Sequence, residues 1–153
     1  MKAIPKLDLH QACLAQLEEK IQGLQQRIAE AQQSAAEDTK SSAGDKFETS
    51  REMMKQEIDK ANQQMGIFSK MKVVLEGIEA SKVQSEILPG SLVQTNEGWY
   101  YFAVSLGKVQ VGEQSIYVLS MASPLGQQLK GMKVGEELMF RGRKIQVLAI
   151  AWE

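Results

Sequence analysis

The sequence predicts an α+β protein, in which an N-terminal antiparallel coiled-coil hairpin is followed by a small β domain with one short helix. Three observations carry this reading. Residues 8–80 place apolar side chains at alternating spacings of three and four and contain no proline, which is the pattern of a helical seam. Leu88-Pro89-Gly90 then acts as punctuation. After Ala80 the period changes to that of short strands separated by Gly-containing turns. The expected division is residues 1–80 for the hairpin and 81–153 for the β domain.

Asp8 followed by Gln11 reads as a capping box that opens the first helix. Leu14, Leu17, Ile21, Leu24, Ile28, Ala31 and Ala35 form its seam. The second helix repeats the pattern with Met54, Ile58, Ala61, Met65, Phe68, Leu75 and Ile78, and Lys72 is its weak position. Gly23, Gly66 and Gly77 interrupt, each at a cost of about 1 kcal/mol against Ala.

The seams match as mirror images. Ile21 pairs with Phe68, Leu24 with Met65, Ile28 with Ala61, Ala31 with Ile58 and Ala35 with Met54, which sets the turn between Gly44 and Asp45. A slide of one heptad keeps the seams facing and moves the turn by three or four residues, so the tip falls between Ser41 and Glu48. The arm from Leu9 to Ala36 would extend roughly 40 Å. Met53, Met54, Met65 and Met71 read as gap-fillers of this packing.

Strands are expected at Ser91–Thr95, Trp99–Val104, Ser115–Met121, Glu136–Arg141 and Lys144–Ala151. Asn96-Glu97-Gly98 and Arg141-Gly142-Arg143 supply hairpin turns. A short helix starts after Ser123, with Pro124 at its first position, and stops at Gly131. It covers the sheet. Trp99, Tyr101 and Phe102 read as packing residues rather than a stacking platform for bases.

The 153 residues are 43% hydrophobic with a formal net charge of -1, which excludes a dense basic surface for autonomous DNA or RNA binding. Lys and Arg number 11 against 13 Asp and Glu in residues 1–80, and 7 against 6 in the remainder, so neither half is a strong electrostatic attractor. The one cysteine, Cys13, has no partner for an internal disulfide and fits a reducing compartment. No apolar run approaches the ~20 residues that span a bilayer, and the N-terminus lacks an apolar signal stretch. A soluble, cytoplasmic protein is expected.

Asp45 and Glu48 are the candidate functional acids, because they fall together at the hairpin tip. Asp45 at the N-cap with Glu48 three residues on is also a capping box, worth about 1 kcal/mol to the second helix. The two roles are compatible, since a capping aspartate is still an anion. His10, the sole histidine, has no Cys or carboxylate partner at metal-ligand spacing, and a structural or solvated role is expected for it. Cys13 reads as a small buried apolar residue. No Ser/His/Asp set, phosphate-binding glycine loop or zinc pattern is present in the sequence.

Two motifs carry a resemblance. One is Ser123-Pro124-Leu125-Gly126-Gln127-Gln128-Leu129-Lys130-Gly131-Met132-Lys133-Val134-Gly135-Glu136, and the other is Gly44-Asp45-Lys46-Phe47-Glu48. With the hairpin-then-β order, the chain resembles the bacterial transcript-cleavage elongation factors, the Gre family, as a divergent member. The longer motif is similar to the family's Ser-Pro-x-Gly-x-x-Leu-x-Gly-Lys-x-x-Gly-Asp, with Met132 where Lys is usual and Glu136 where Asp is usual. The shorter motif resembles the family's tip sequence Gly-Asp-Leu-x-Glu-Asn-Ala-Glu-Tyr. It departs after Glu48, where Thr49, Arg51 and Glu52 fall on the Asn, acid and Tyr positions.

The resemblance implies an FKBP-like β domain that docks on RNA polymerase beside its secondary channel. The hairpin enters that channel, and the tip acids Asp45 and Glu48 help hold a second, weakly bound Mg²⁺ shared with the polymerase. The polymerase then cleaves backtracked RNA, so the chain is expected to stimulate an activity rather than be an enzyme alone. Ser123, Pro124, Leu125 and Gly126 are the candidate docking residues. The implied partner is RNA polymerase, with nascent RNA touched only indirectly, and no direct DNA or membrane binding and a monomeric state are expected. The mixed charges at the tip, including Lys40, Lys46, Arg51 and Lys55, leave open a channel regulator or inhibitor that does not promote cleavage. A coiled-coil adaptor or holdase and a prolyl isomerase are the readings from other classes.

Overall fold

Apolar residues recurring every three or four positions, with no proline among them, give two long helices, α1 (Lys6–Ser41) and α2 (Asp45–Glu76). The structure is a computed structural model that describes residues 4–41, 45–82 and 84–151, and the side chains of residues 38–48 also lie outside the described part. Helix α1 begins two residues before the expected cap. The Leu9 N–H donates to the Pro5 carbonyl at 3.1 Å, and Asp8 sits inside the first turn, close to the positive end of the helix dipole. Pro5 suits the start, because it has no N–H to leave unpaired there.

The chain divides into two compact units, Gln16–Lys70 and a second unit made of Met1–Ala15 with Met71–Glu153. The first unit is a helical hairpin. Its ordering is antiparallel: Lys20 Nζ lies 5.8 Å from the Phe68 ring centroid, and Arg27 lines a shallow groove with Glu57, Lys60, Ala61 and Gln64. Leu17, Leu24, Ala31 and Ala61 are buried, while Ile21, Ile28, Ala35, Met54, Ile58, Met65 and Phe68 are half-buried. These are the predicted seam positions, and the residues between them are nearly all exposed. The turn is expected between Gly44 and Asp45, and residues 42–44 lie outside the described residues.

The second unit is a six-stranded mixed sheet with one short helix. Its strands are β1 (Leu92–Thr95), β2 (Gly98–Phe102), β3 (Gly107–Val111), β4 (Gln114–Leu119), β5 (Glu137–Phe140) and β6 (Arg143–Ala151), and its helix is α3 (Pro124–Leu129). The sheet order is β3-β4-β2-β1-β6-β5, with β2 and β4 parallel and the other neighbours antiparallel. Strand β3 has no counterpart in the sequence reading. Its two glycine-flanked valines make too short a run to stand out, and pairing with β4 through the Gly112-Glu113 turn stabilises it instead.

Each face of the sheet buries apolar residues. Val93, Phe102, Leu119, Ile145, Val147 and Ile150 pack with Leu129 of α3 and Ile87 on one face. On the other, Leu92, Tyr101 and Val118 share a cross-strand row and are fully buried. The start of α1 meets this row through a hydrogen bond between His10 and Tyr101. A bulge between Gln94 and Thr95 disturbs the β1–β6 ladder, and the Asn96 amide fills in, donating to the Lys144 carbonyl at 2.8 Å and accepting from the Gln146 N–H at 2.7 Å.

Candidate functional site

Three places hold the candidate residues: the start of α2, the turn that opens α3, and a buried polar group where α1 meets β2. Helix α1 ends at Ser41 and α2 begins at Asp45, so Asp45 opens the second helix and Glu48 follows one turn later. Their side chains lie outside the described residues. Among the described residues, no three His, Cys, Asp or Glu side chains come together to hold a metal ion.

The Ser-Pro-Leu-Gly turn is fully described. Ser123 caps α3, its Oγ accepting from the Gly126 N–H at 3.1 Å and donating to the Ser120 carbonyl at 2.6 Å. Pro124 takes the first helical position, where its fixed φ is pre-organised. Gly126 is buried against the preceding turn, and a Cβ there would stand 2.5 Å from the Ser120 carbonyl oxygen and 2.8 Å from the Met121 backbone. The motif's Ser, Pro and Gly thus have shape-determining roles, and Leu125 is left half-buried at the edge of a groove.

That groove, of about 790 Å³, lies on the sheet face that α3 leaves partly open. Tyr100 and Tyr117 form its floor, with ring centroids 6.1 Å apart and planes at 80°. Burial is the main reason the Tyr100 hydroxyl is held above the usual tyrosine range, and nearby Glu97 adds to it. Pro124, Leu125 and Phe140 form a wall, and Lys108 and Arg141 stand among the lining residues. Arg143 is engaged with Glu97 at 3.7 Å. The Arg141 guanidinium lies 5.0 Å from the Phe140 ring centroid.

Arg141 has a φ of 51 and is followed by Gly142 at 79, so the two-residue β5–β6 turn is left-handed at both positions. Gly, Asn or Asp is the ordinary choice there, and a long side chain at the first position costs roughly 1 kcal/mol.

Sequence reasoning anticipated a buried Cys13 but not the group in which Lys6, His10 and Tyr101 meet beside it. Lys6 is fully buried, and its Nζ donates to the Lys82 carbonyl at 3.2 Å. One turn on, His10 Nδ1 stands 2.8 Å from the Tyr101 hydroxyl. Burial holds Lys6 below its ordinary range, and burial plus the neighbouring Lys6 charge does the same to His10. Burial lifts the Tyr101 hydroxyl and pushes the Cys13 thiol up to about 12. The i, i+4 spacing of Lys6 and His10 was the available signal, but a lysine at a helix start ordinarily faces water. The group ties the helix start to β2 and to the segment after α2, and its residues are closed to solvent.

No protein-family model matches the chain, and comparison with curated proteins finds no match. Among the described residues, no helix is long and apolar enough to cross a membrane.

Proposed function

We propose that this chain is a Gre-like elongation factor that binds RNA polymerase, sends its hairpin into the secondary channel and stimulates cleavage of backtracked RNA through Asp45 and Glu48. On this reading the hairpin is a coiled coil, the β domain is FKBP-like, and the protein works in the cytoplasm as a monomer. The observation that carries it is the helix boundary: α1 stops at Ser41 and α2 starts at Asp45, so two acids of a Gly-Asp-x-x-Glu motif lie in the first turn of the return helix. The capped Ser-Pro-Leu-Gly turn at the edge of an apolar groove supports a docking role for Ser123, Pro124, Leu125 and Gly126.

The donor set fits the implied ion. Asp45 and Glu48 offer hard oxygen ligands of the kind Mg²⁺ takes, and Mg²⁺ retains waters, so two added carboxylates complete a site that the polymerase already half provides. Bound there, Mg²⁺ would orient and activate the attacking water. The i, i+3 spacing of the two acids is one that lets carboxylates on a helix converge. The chain's own part is to bring them to the polymerase and hold them there, and it performs no chemistry alone.

Arg51 favours a second reading. It lies three residues beyond Glu48 on α2, at the spacing that allows a carboxylate to be neutralised. A channel regulator that occupies the site without promoting cleavage is the reading which that spacing favours. Purified core polymerase and a stalled, backtracked elongation complex test both readings. Asp45→Asn with Glu48→Gln should keep polymerase binding and helicity while abolishing stimulated cleavage. Full cleavage by the double variant would remove the role of the acids, and failure of the wild-type chain to bind polymerase would defeat both readings.

A further inference from the structure

We infer that the groove on the open sheet face of the β domain receives an acidic protein segment bearing one large apolar side chain, with Arg141 and Lys108 reading its carboxylates. This rests on the reading that the β domain docks a protein partner, and it specifies the chemistry of what is docked.

The groove has two kinds of surface. Its interior is apolar and aromatic, with Tyr100 and Tyr117 below and Leu125 and Phe140 beside them. A leucine or phenylalanine side chain buried among these groups would gain the hydrophobic and edge-to-face contacts that such pockets offer. The lining also holds charge, and the charge is unevenly committed. Glu97 is engaged with Arg143, which stands outside the lining, whereas Lys108 and Arg141 make no ion pair among the described residues. Two uncommitted cations remain beside an apolar slot, and the complementary ligand is an apolar residue flanked by carboxylates.

Arg141 supplies a second, independent reason. It occupies a left-handed backbone position that favours Gly or Asn, so the turn's shape alone does not account for an arginine. Its guanidinium lies near the Phe140 ring, beside the groove wall, where a planar donor set can take a carboxylate in two parallel hydrogen bonds.

A nucleic-acid strand fits less well. Its phosphates call for a row of cations and for aromatic rings offered in parallel. Here the described lining carries these two cations and also Glu97, and the two tyrosine rings are nearly perpendicular.

Fluorescence anisotropy on the full chain tests this with three labelled probes: a short peptide with one Phe flanked by Glu and Asp, the same peptide with Gln and Asn in place of the acids, and an oligouridylate. The acidic peptide should bind at least about tenfold more tightly than its neutral counterpart, the scale of one charge-assisted contact, and lose affinity as salt rises. Arg141→Asn suits the left-handed turn, so its melting temperature should not fall, yet it should bring the acidic peptide close to the neutral one. Lys108→Gln should give a smaller loss. Equal binding of the two peptides, no effect of Arg141→Asn, or tighter binding of the oligonucleotide would each overturn the inference.

Binding to core polymerase separates this inference from the functional reading. Wild-type binding that Arg141→Asn leaves intact would sink the groove assignment and leave the elongation-factor reading standing. Acid-selective peptide binding by a chain that does not bind polymerase would do the reverse.

Discussion

His10, in the second turn of α1, and Tyr101, in β2, are joined by a 2.8 Å hydrogen bond through Nδ1 and the phenolic oxygen, with their rings edge to face at 82°. Ninety-one positions separate them in sequence. The bond anchors the first helix to a sheet strand inside the β unit, and it requires a neutral imidazole when the phenol donates.

A pH dependence follows from that requirement. Burial, with Lys6 beside it, holds His10 below its ordinary value of 6.5, so the unfolded chain takes up a proton that the folded chain refuses. The stability that depends on neutral His10 is complete above 6.5 and is lost as pH falls towards the folded value. Urea denaturation should show a falling midpoint below that pH, and His10→Asn should flatten the slope. Tyr101→Phe leaves Nδ1 without its partner and should cost about 1–2 kcal/mol at neutral pH. An unchanged slope in His10→Asn would assign the pH effect elsewhere.

Lys6 predicts the opposite limb. Burial holds it below 10.5, so the unfolded chain again binds the extra proton, and stability rises as pH climbs from the folded value towards 10.5. Lys6→Met keeps the buried stem and removes the charge. It should be more stable than wild type by about 1 kcal/mol at neutral pH, and that advantage should shrink in alkaline buffer. A variant less stable than wild type would mean that the bond to the Lys82 carbonyl outweighs desolvation.

Gly126→Ala places a methyl group 2.5 Å from the Ser120 carbonyl oxygen and 2.8 Å from Met121 backbone atoms. Backbone on that side has little room to yield, so a loss of about 2 kcal/mol and a clear drop in melting temperature are expected. Leu125→Ala, half-buried on the groove edge, should leave folding far less affected. Equal melting temperatures for Gly126→Ala and wild type would show that the α3 turn adapts.

Cys13 is fully buried, with its thiol pushed up to about 12. Because the thiolate is the reactive form, a disulfide reagent should label the native chain slowly at neutral pH and label it at once in denaturant. Rapid native labelling would point to opening of the α1 start on the timescale of the assay.

The helical half was legible because a period of three and four over many turns leaves few other folds. The buried and half-buried residues from Leu14 to Phe68 fall on the predicted seam almost without exception. The α3 turn was legible for a different reason, since Ser, Pro and Gly each answer one local backbone demand. Strand β3 was not, because a five-residue edge strand owes its existence to β4, a neighbour that local pattern does not name. The groove and the Lys6–His10–Tyr101 group depend on which residues from distant segments meet, and no single window of sequence holds that information. Arg141 was read correctly as a turn residue, but its left-handed backbone and its position beside Phe140 emerge only in three dimensions.

The β unit is assembled from two stretches of chain, Met1–Ala15 and Met71–Glu153, with Gln16–Lys70 inserted between them. From the standpoint of the β unit, the helical hairpin is a loop to be closed. Closure entropy grows only with the logarithm of loop length, at about 0.6 kcal/mol per doubling. Matched heptads could therefore be added to or removed from α1 and α2 with little thermodynamic effect on the unit that they interrupt. The hairpin's length is the most freely adjustable dimension of this architecture, whereas a cut at residue 80 would detach Leu9, His10 and Cys13 from the β unit to which they belong.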